Sequence, residues 1–145
     1  MTEAKFVVRE FTVRDLAYVA STWTAGMHRS CICHKSIARS LFFAKYANPK
    51  VAQCLGTPDT RVLVACLPDA PDVILGYIVH TPPVTVHWIH TKPAFYRQGI
   101  ARELWRASGL PRLGAIATSY SRSIEKLAER LGIVHDPFQE VVPNV

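Results

Sequence analysis

The chain has 145 residues, of which 49% are hydrophobic and 19% charged; this is about one domain's length with ample apolar surface for a core, which excludes extended disorder. Its longest apolar runs are strand-sized and far short of the ~20 residues a membrane helix needs, so a soluble protein with no membrane partner is expected. Seventeen Lys and Arg against eleven Asp and Glu leave a net charge of +6, which favours an anionic partner such as nucleic acid, an acidic protein or a phosphorylated cofactor.

The N-terminus lacks the apolar core of a secretory signal, so a cytoplasmic location is expected. Phe6 to Arg9 is β-favourable, and Thr12 with Asp15 forms a helix-start pattern in which Asp takes the usual Glu position. A helix from about Arg14 to Ala25 should follow. Cys31-Ile32-Cys33-His34 invites a zinc reading, but a tetrahedral site needs a fourth ligand and usually a second spaced pair, so no metal is expected. The four cysteines read as free thiols. Ile37, Leu41 and Ala44 share one stripe of a helix from about Ser36 to Ala47, which should stop before Asn48-Pro49 because proline disfavours helix at its predecessor. Arg61 to Leu67 and Val73 to Val79 are β-branched-rich runs around a Pro68–Asp72 turn. Thr81-Pro82-Pro83 separates them from a third run, Val84 to Thr91, giving an antiparallel meander.

Ile100, Leu104 and Trp105 then mark a helix from Gln98 to Ala107, ended by Gly109 and Pro111. A short strand is expected over Leu113 to Thr118. Ile124, Leu127, Ala128 and Leu131 follow at i, i+3, i+4 and i+7 on a helix closed by Gly132, and Phe138 to Val142 reads as a last strand. No repeat or linker divides the chain, so a single domain over residues 1–145 is expected. Rossmann GxGxxG, GxSxG and Walker patterns are missing, which removes the obvious support for hydride transfer, serine hydrolysis and NTP hydrolysis.

The chemistry concentrates where the strand ending at Thr91 runs through Lys92-Pro93-Ala94-Phe95 into Tyr96-Arg97-Gln98-Gly99-Ile100-Ala101 and a helix. Unpaired amides and the positive end of the helix dipole converge there, an anion site in principle. Gly99 allows close approach of a phosphate, Ala101 keeps the next turn thin, and Arg97 and Arg102 add charge. The plain alternative is an ordinary connection that Gly99 merely eases.

Along these residues the chain resembles the GNAT acetyltransferase superfamily, whose pyrophosphate signature is Q/R-x-x-G-x-G/A after a strand and a Pro-containing turn. Gly99 and Ala101 match, while Tyr96 stands where the family usually has Gln or Arg. The resemblance implies an α+β fold: a mixed, mostly antiparallel sheet flanked by helices on both faces. It also implies acetyl-CoA as co-substrate and transfer of acetyl to the primary amine of a small-molecule or protein acceptor. The pyrophosphate would sit on Tyr96 to Arg102, and the pantetheine arm on the backbone of Ile89 and Thr91.

Family members often carry a tyrosine four residues before the glycine that ends the last helix, as general acid toward the CoA thiolate; here that position is Ala128. An asparagine seven residues earlier in the family falls on Ser121, on the cofactor side. Tyr120 is the nearest phenol by sequence and becomes the candidate acid. His87 is the candidate base, because its strand runs beside the expected thioester and neutral imidazole accepts a proton near pH 7. A strand's period of two sends His87 and His90 to opposite faces, with His87 on the side of Ile89 and Thr91; His80 is a weaker candidate. Trp23, His28, Arg29 and Tyr46 are candidate acceptor-site residues, though each reads more readily as core or rim. Two rival readings are a CoA-binding module that has lost catalysis, motivated by Ala128, and, less favoured, a basic nucleic-acid-binding protein. Monomer and homodimer are both open.

Overall fold

A computed structural model describes residues 6–30, 38–119 and 122–136. Among these residues six strands make one sheet in the order β1 (Val7–Glu10), β2 (Arg61–Leu67), β3 (Ala70–Thr81), β4 (Thr85–Thr91), β5 (Ile116–Ala117) and β6 (Val134–His135). The first four are antiparallel neighbours; β5 runs parallel to β4, and β6 parallel to β5. This is the mixed α+β sheet expected, with β2 ending where the sequence places it.

Helices cover both faces. α1 (Leu16–Ser30) and α3 (Asn48–Leu55) lie on one, where Val19, Trp23, Phe42 and Val51 pack on Val64, Tyr77, Val79 and Trp88. On the other lie α4 (Ile100–Ser108) and α5 (Arg122–Leu131), with Ile100, Leu104, Trp105 and Ile124 buried against Ile78, Val86 and Ile89. Alternation along the strands supplies both layers. Gly26 lets α1 approach the sheet: a Cβ there would run into the indole of Trp88, which in turn stacks on Trp23 at a centroid distance of 6.4 Å.

A short 3-10 turn, Val13–Asp15, precedes α1. Asp15 accepts the Thr12 amide at 2.8 Å and takes both guanidinium nitrogens of Arg9 at 2.7 and 2.8 Å. The acid half of the expected start signal is therefore present, with the shorter Asp drawn into an ion pair that lowers its pKa.

The second helix does not stop before Asn48-Pro49. α2 (Arg39–Phe42) widens into a π turn, Phe43–Ala47, and continues as α3, with Pro49 in its first turn. Widening relieves the clash of the proline ring with the preceding turn and leaves its missing N–H unneeded. The strand expected over Leu113–Thr118 shrinks to Ile116–Ala117, because Gly114 turns the chain at φ +85° just before it. A last strand does form, but at Val134–His135; Phe138–Val142 lies outside the described residues. Among those residues no helix is long and apolar enough to cross a membrane.

Candidate functional site

β4 changes phase in its middle. Its register with β3 pairs His80 with Val86 and Val79 with Trp88, leaving His87 as an extra residue, a β-bulge. On the β5 side, Val84 and Val86 carbonyls accept the amides of Ile116 and Thr118 at 2.8 and 3.0 Å. An unbroken strand would next present residues 88 and 90 to that side. Instead the Lys92 amide bonds the Leu75 carbonyl at 2.8 Å, which makes Lys92, His90 and Trp88 the residues hydrogen-bonded to β3. Ile89 and Thr91, paired with Ile78 and Gly76, are the non-hydrogen-bonded positions, whose N–H and C=O groups point away from β3. β5 has ended by then, so among the described residues these groups face a gap between the two strands. Beside it, the Thr91 hydroxyl is buried with no partner among the described residues.

The end of that gap meets the start of α4. A Cβ on Gly76 would lie 3.0 Å from the Ile100 side chain and 3.4 Å from the Thr91 Cα, which sets the first turn of α4 over the end of β4. The connection between them adopts two left-handed residues, Arg97 at φ 67° and Gly99 at φ 80°, the latter as N-cap with no side-chain capping bond. Gly99 opens onto empty space. Alternating left-handed residues and an uncapped helix start aim amides at one point, the geometry of an anion cradle. Tyr96, Arg97, Gln98 and Arg102 are exposed around it, and the Lys126 ammonium lies 5.7 Å from the Tyr96 ring centre. Ile100 turns its side chain into the core and Ala101 is half-buried, so from these two the backbone is what the turn can use.

The bulge also corrects the expected histidine directions. With one extra residue, His87 and Trp88 both face α1 and α3, and so does His90, while the Ile89 side chain belongs to the α4 and α5 layer. His87 is therefore on the same face as His90 and opposite the Ile89 side chain. Its Nε2 and Nδ1 sit 2.8 Å from the hydroxyls of Thr81 and Thr118. Burial, with His80 and Lys50 nearby, lowers its pKa to about 4. The His90 Nε2 lies 3.1 Å from the Tyr18 hydroxyl; burial, Arg29 and Lys92 lower its pKa to about 4. His80 is buried and likewise shifted down, by burial and Arg61.

His87 forms the floor of a cleft of about 40 Å³ walled by Trp23 of α1, Lys50, Gln53 and Cys54 of α3, and Thr118 and Ser119 after β5. The space suits a few waters or a small functional group. The site is thus a gap on the edge of β4, the left-handed turn at one end and a cleft on the α1 and α3 face at the bulge.

No family model and no curated protein matches the sequence. Solved structures do match. A GCN5-related N-acetyltransferase from Rhodopseudomonas palustris superposes with a TM-score of 0.52 at 17% identity, over 74% of this chain and 66% of that one, just under two thirds of its length. A candidate acetyltransferase from Pyrococcus furiosus gives 0.54 at 12% identity, over 97% and 85%. The chain has the GCN5-related N-acetyltransferase fold. A glucosamine N-acetyltransferase region in a fungal multi-domain β-N-acetylglucosaminidase shares that fold with a TM-score of 0.51 at 15% identity; this chain is covered completely and that one to 15%.

On this fold the expected residues divide. Ile89, Thr91 and the Tyr96–Arg102 turn come together along one edge, and His87 joins the cleft behind it. Tyr120 and Ser121, like Cys31, Cys33 and His34, lie outside the described residues. Trp23 lines the cleft, whereas His28 packs on Phe42 and Phe43 at 5.2 and 5.7 Å, and Tyr46 accepts the Lys50 ammonium at 3.1 Å. Sequence reasoning missed Lys50, Gln53 and Cys54, although their i, i+3, i+4 spacing is the signal of one helix face. It also missed Thr81 and Thr118, which no local pattern marks.

Proposed function

We propose that the chain transfers an acetyl group from acetyl-CoA to a primary amine. The observation that carries this reading is the gap along β4, where the Ile89 and Thr91 backbone groups have no strand partner among the described residues, beside the left-handed turn at Arg97 and Gly99. A chain of amide-like groups ending in a pyrophosphate needs that sequence of partners: strand edge, then helix start. Acetyl-CoA would supply the thioester carbon, the Gly99 turn would hold its phosphates, and the amine would attack from the α1 and α3 face within a ternary complex.

His87 enters this reading as a positioning residue. Its two ring nitrogens engage Thr81 on β3 and Thr118 beyond β5, so it ties the strands flanking the bulge. A ring with a pKa near 4 is a weak base at neutral pH. Proton removal is assigned to water in the cleft. Ala128, at the family's acid position, and this weakly basic His87 favour a second reading, CoA binding without turnover; a panel of amines with free thiol as readout separates the two.

Calorimetry of CoA binding tests the site. Gly99→Glu should weaken CoA at least tenfold by placing a carboxylate where phosphate belongs, whereas Gly99→Asn, which tolerates the left-handed backbone and adds no charge, should bind within about threefold of the parent. Equal affinity of Gly99→Glu, with its fold verified by circular dichroism, would remove the reading.

A further inference from the structure

The carboxylates are segregated along the chain. From Leu16 to Pro58 there is no Asp or Glu but five Lys and Arg, and from Val73 to Arg102 again none, with three Lys and Arg. The first stretch holds α1 through α3, the layer over one face of the sheet; the second holds most of β3, all of β4 and the turn into α4. The cleft forms where these two stretches meet. None of its lining residues is acidic, and Asp136, which enters beside β5 through its amide to the Ala117 carbonyl at 2.8 Å, is not among them. Lys50 is on its wall, held against Tyr46 by a 3.1 Å hydrogen bond and a 5.1 Å cation–π contact. Gln53, one helical turn on, adds an amide. The charged or titratable neighbours that shift the three strand histidines are cationic groups or another imidazole.

A binding cleft recognises its ligand by complementary charge, and it rejects wrong ligands by like charge. Acceptors with several ammonium groups are normally held by carboxylates, and among the described residues none lines this cleft. Resting on the acetyltransferase reading above, we propose that the acceptor is a small amine bearing an anionic group, a carboxylate or a phosphate monoester, near its amino group, and that Lys50 with Gln53 holds the anion. The confined cleft admits only the reacting end of a molecule, so the anion must lie within a few bonds of the nitrogen to reach the Lys50 wall. Trp23 supplies the apolar side against which the short carbon frame would rest.

The experiment uses the intact chain, acetyl-CoA and small amines whose anion lies close to the nitrogen: glutamate and glycine for carboxylates, O-phosphoethanolamine for the phosphate. Their counterparts are ethanolamine, glucosamine and spermidine. Release of free CoA thiol is the readout, with CoA calorimetry run alongside. The anionic members should show kcat/KM at least tenfold above their neutral or cationic counterparts, and the better of the two anionic arms identifies the group. Lys50→Gln should raise the acceptor KM at least tenfold and leave CoA affinity unchanged; Lys50→Arg should restore most of it. Turnover of spermidine or glucosamine at the rate of the anionic amines overturns the proposal while sustaining acetyl transfer, as does an unchanged acceptor KM in Lys50→Gln. CoA binding with no amine consumed also overturns it. Loss of the parent reading has a different mark, absence of CoA affinity in the parent chain.

Discussion

His87 shows how little a residue's type says about its role until its neighbours are known. Strand position and imidazole chemistry point to a base, yet the ring is buried at 3% exposure with hydroxyls on both nitrogens. Because its pKa lies near 4, it stays neutral across the working range. The rate of acetyl transfer should therefore show no inflection from this ring between pH 5.5 and 8. His87→Ala should lower the rate without changing the shape of the profile, and it should cost about 1–3 kcal/mol of stability by stranding the hydroxyls of Thr81 and Thr118. A pH–rate profile that loses an ionisation in the variant would return His87 to the role of base. The information that decides this was not local: Thr118 lies 31 residues away in sequence, and the bulge that turns His87 toward it leaves no mark in the composition of Thr85 to Thr91.

At the level of elements, much was legible. The extent of β2, the Gly132 stop of α5 and the turn into α4 at Gly99 follow from short-range rules of periodicity, capping and left-handed backbone. What escaped involved competition between a local preference and packing. Pro49 should end a helix, but Ala47 and Val51 are both buried in the layer under Trp88, and keeping both in one continuous helix outweighs the irregular turn. The junction of β1 and α1 makes a similar bargain testable. Arg9 on β1 binds Asp15 ahead of α1 and also donates to the Pro71 carbonyl on β3 at 2.9 Å, so one guanidinium ties three elements. Asp15→Asn should lower stability by about 1–3 kcal/mol, since it leaves the partly buried Arg9 without its counter-charge. Chemical denaturation at pH 7 measures it, and a midpoint within error of the parent would show the tie to be dispensable.

For the whole molecule, the buried histidines act together on stability. In the unfolded chain His87 and His90 protonate near pH 6.5, whereas in the folded chain they do so near 4. Between these values the unfolded state binds more protons, so stability rises with pH and is lost as pH falls from 6.5 to 4. Two rings give a slope approaching two protons, about 2 kcal/mol per pH unit after allowance for the partial exposure of His90. Asp15, with its lowered pKa, adds a loss at still lower pH. Urea midpoints at pH 7.5, 6, 5 and 4.5 should trace this fall, and a double His87→Gln, His90→Gln variant should flatten it; a parent midpoint constant from pH 7 to 5 would contradict it.

The extra residue in β4 has one further consequence. Which backbone groups line the gap depends on whether an odd or even number of residues separates them from Val86. That parity is a matter of counting, indifferent to the side chains that carry it. Substitutions across Thr85 to Thr91 can alter fit and charge yet leave Ile89 and Thr91 facing outward. Deleting one residue there would hand the edge to their neighbours and exchange the two core layers beyond it. The strand is thus open to drift in spelling and closed to change in length.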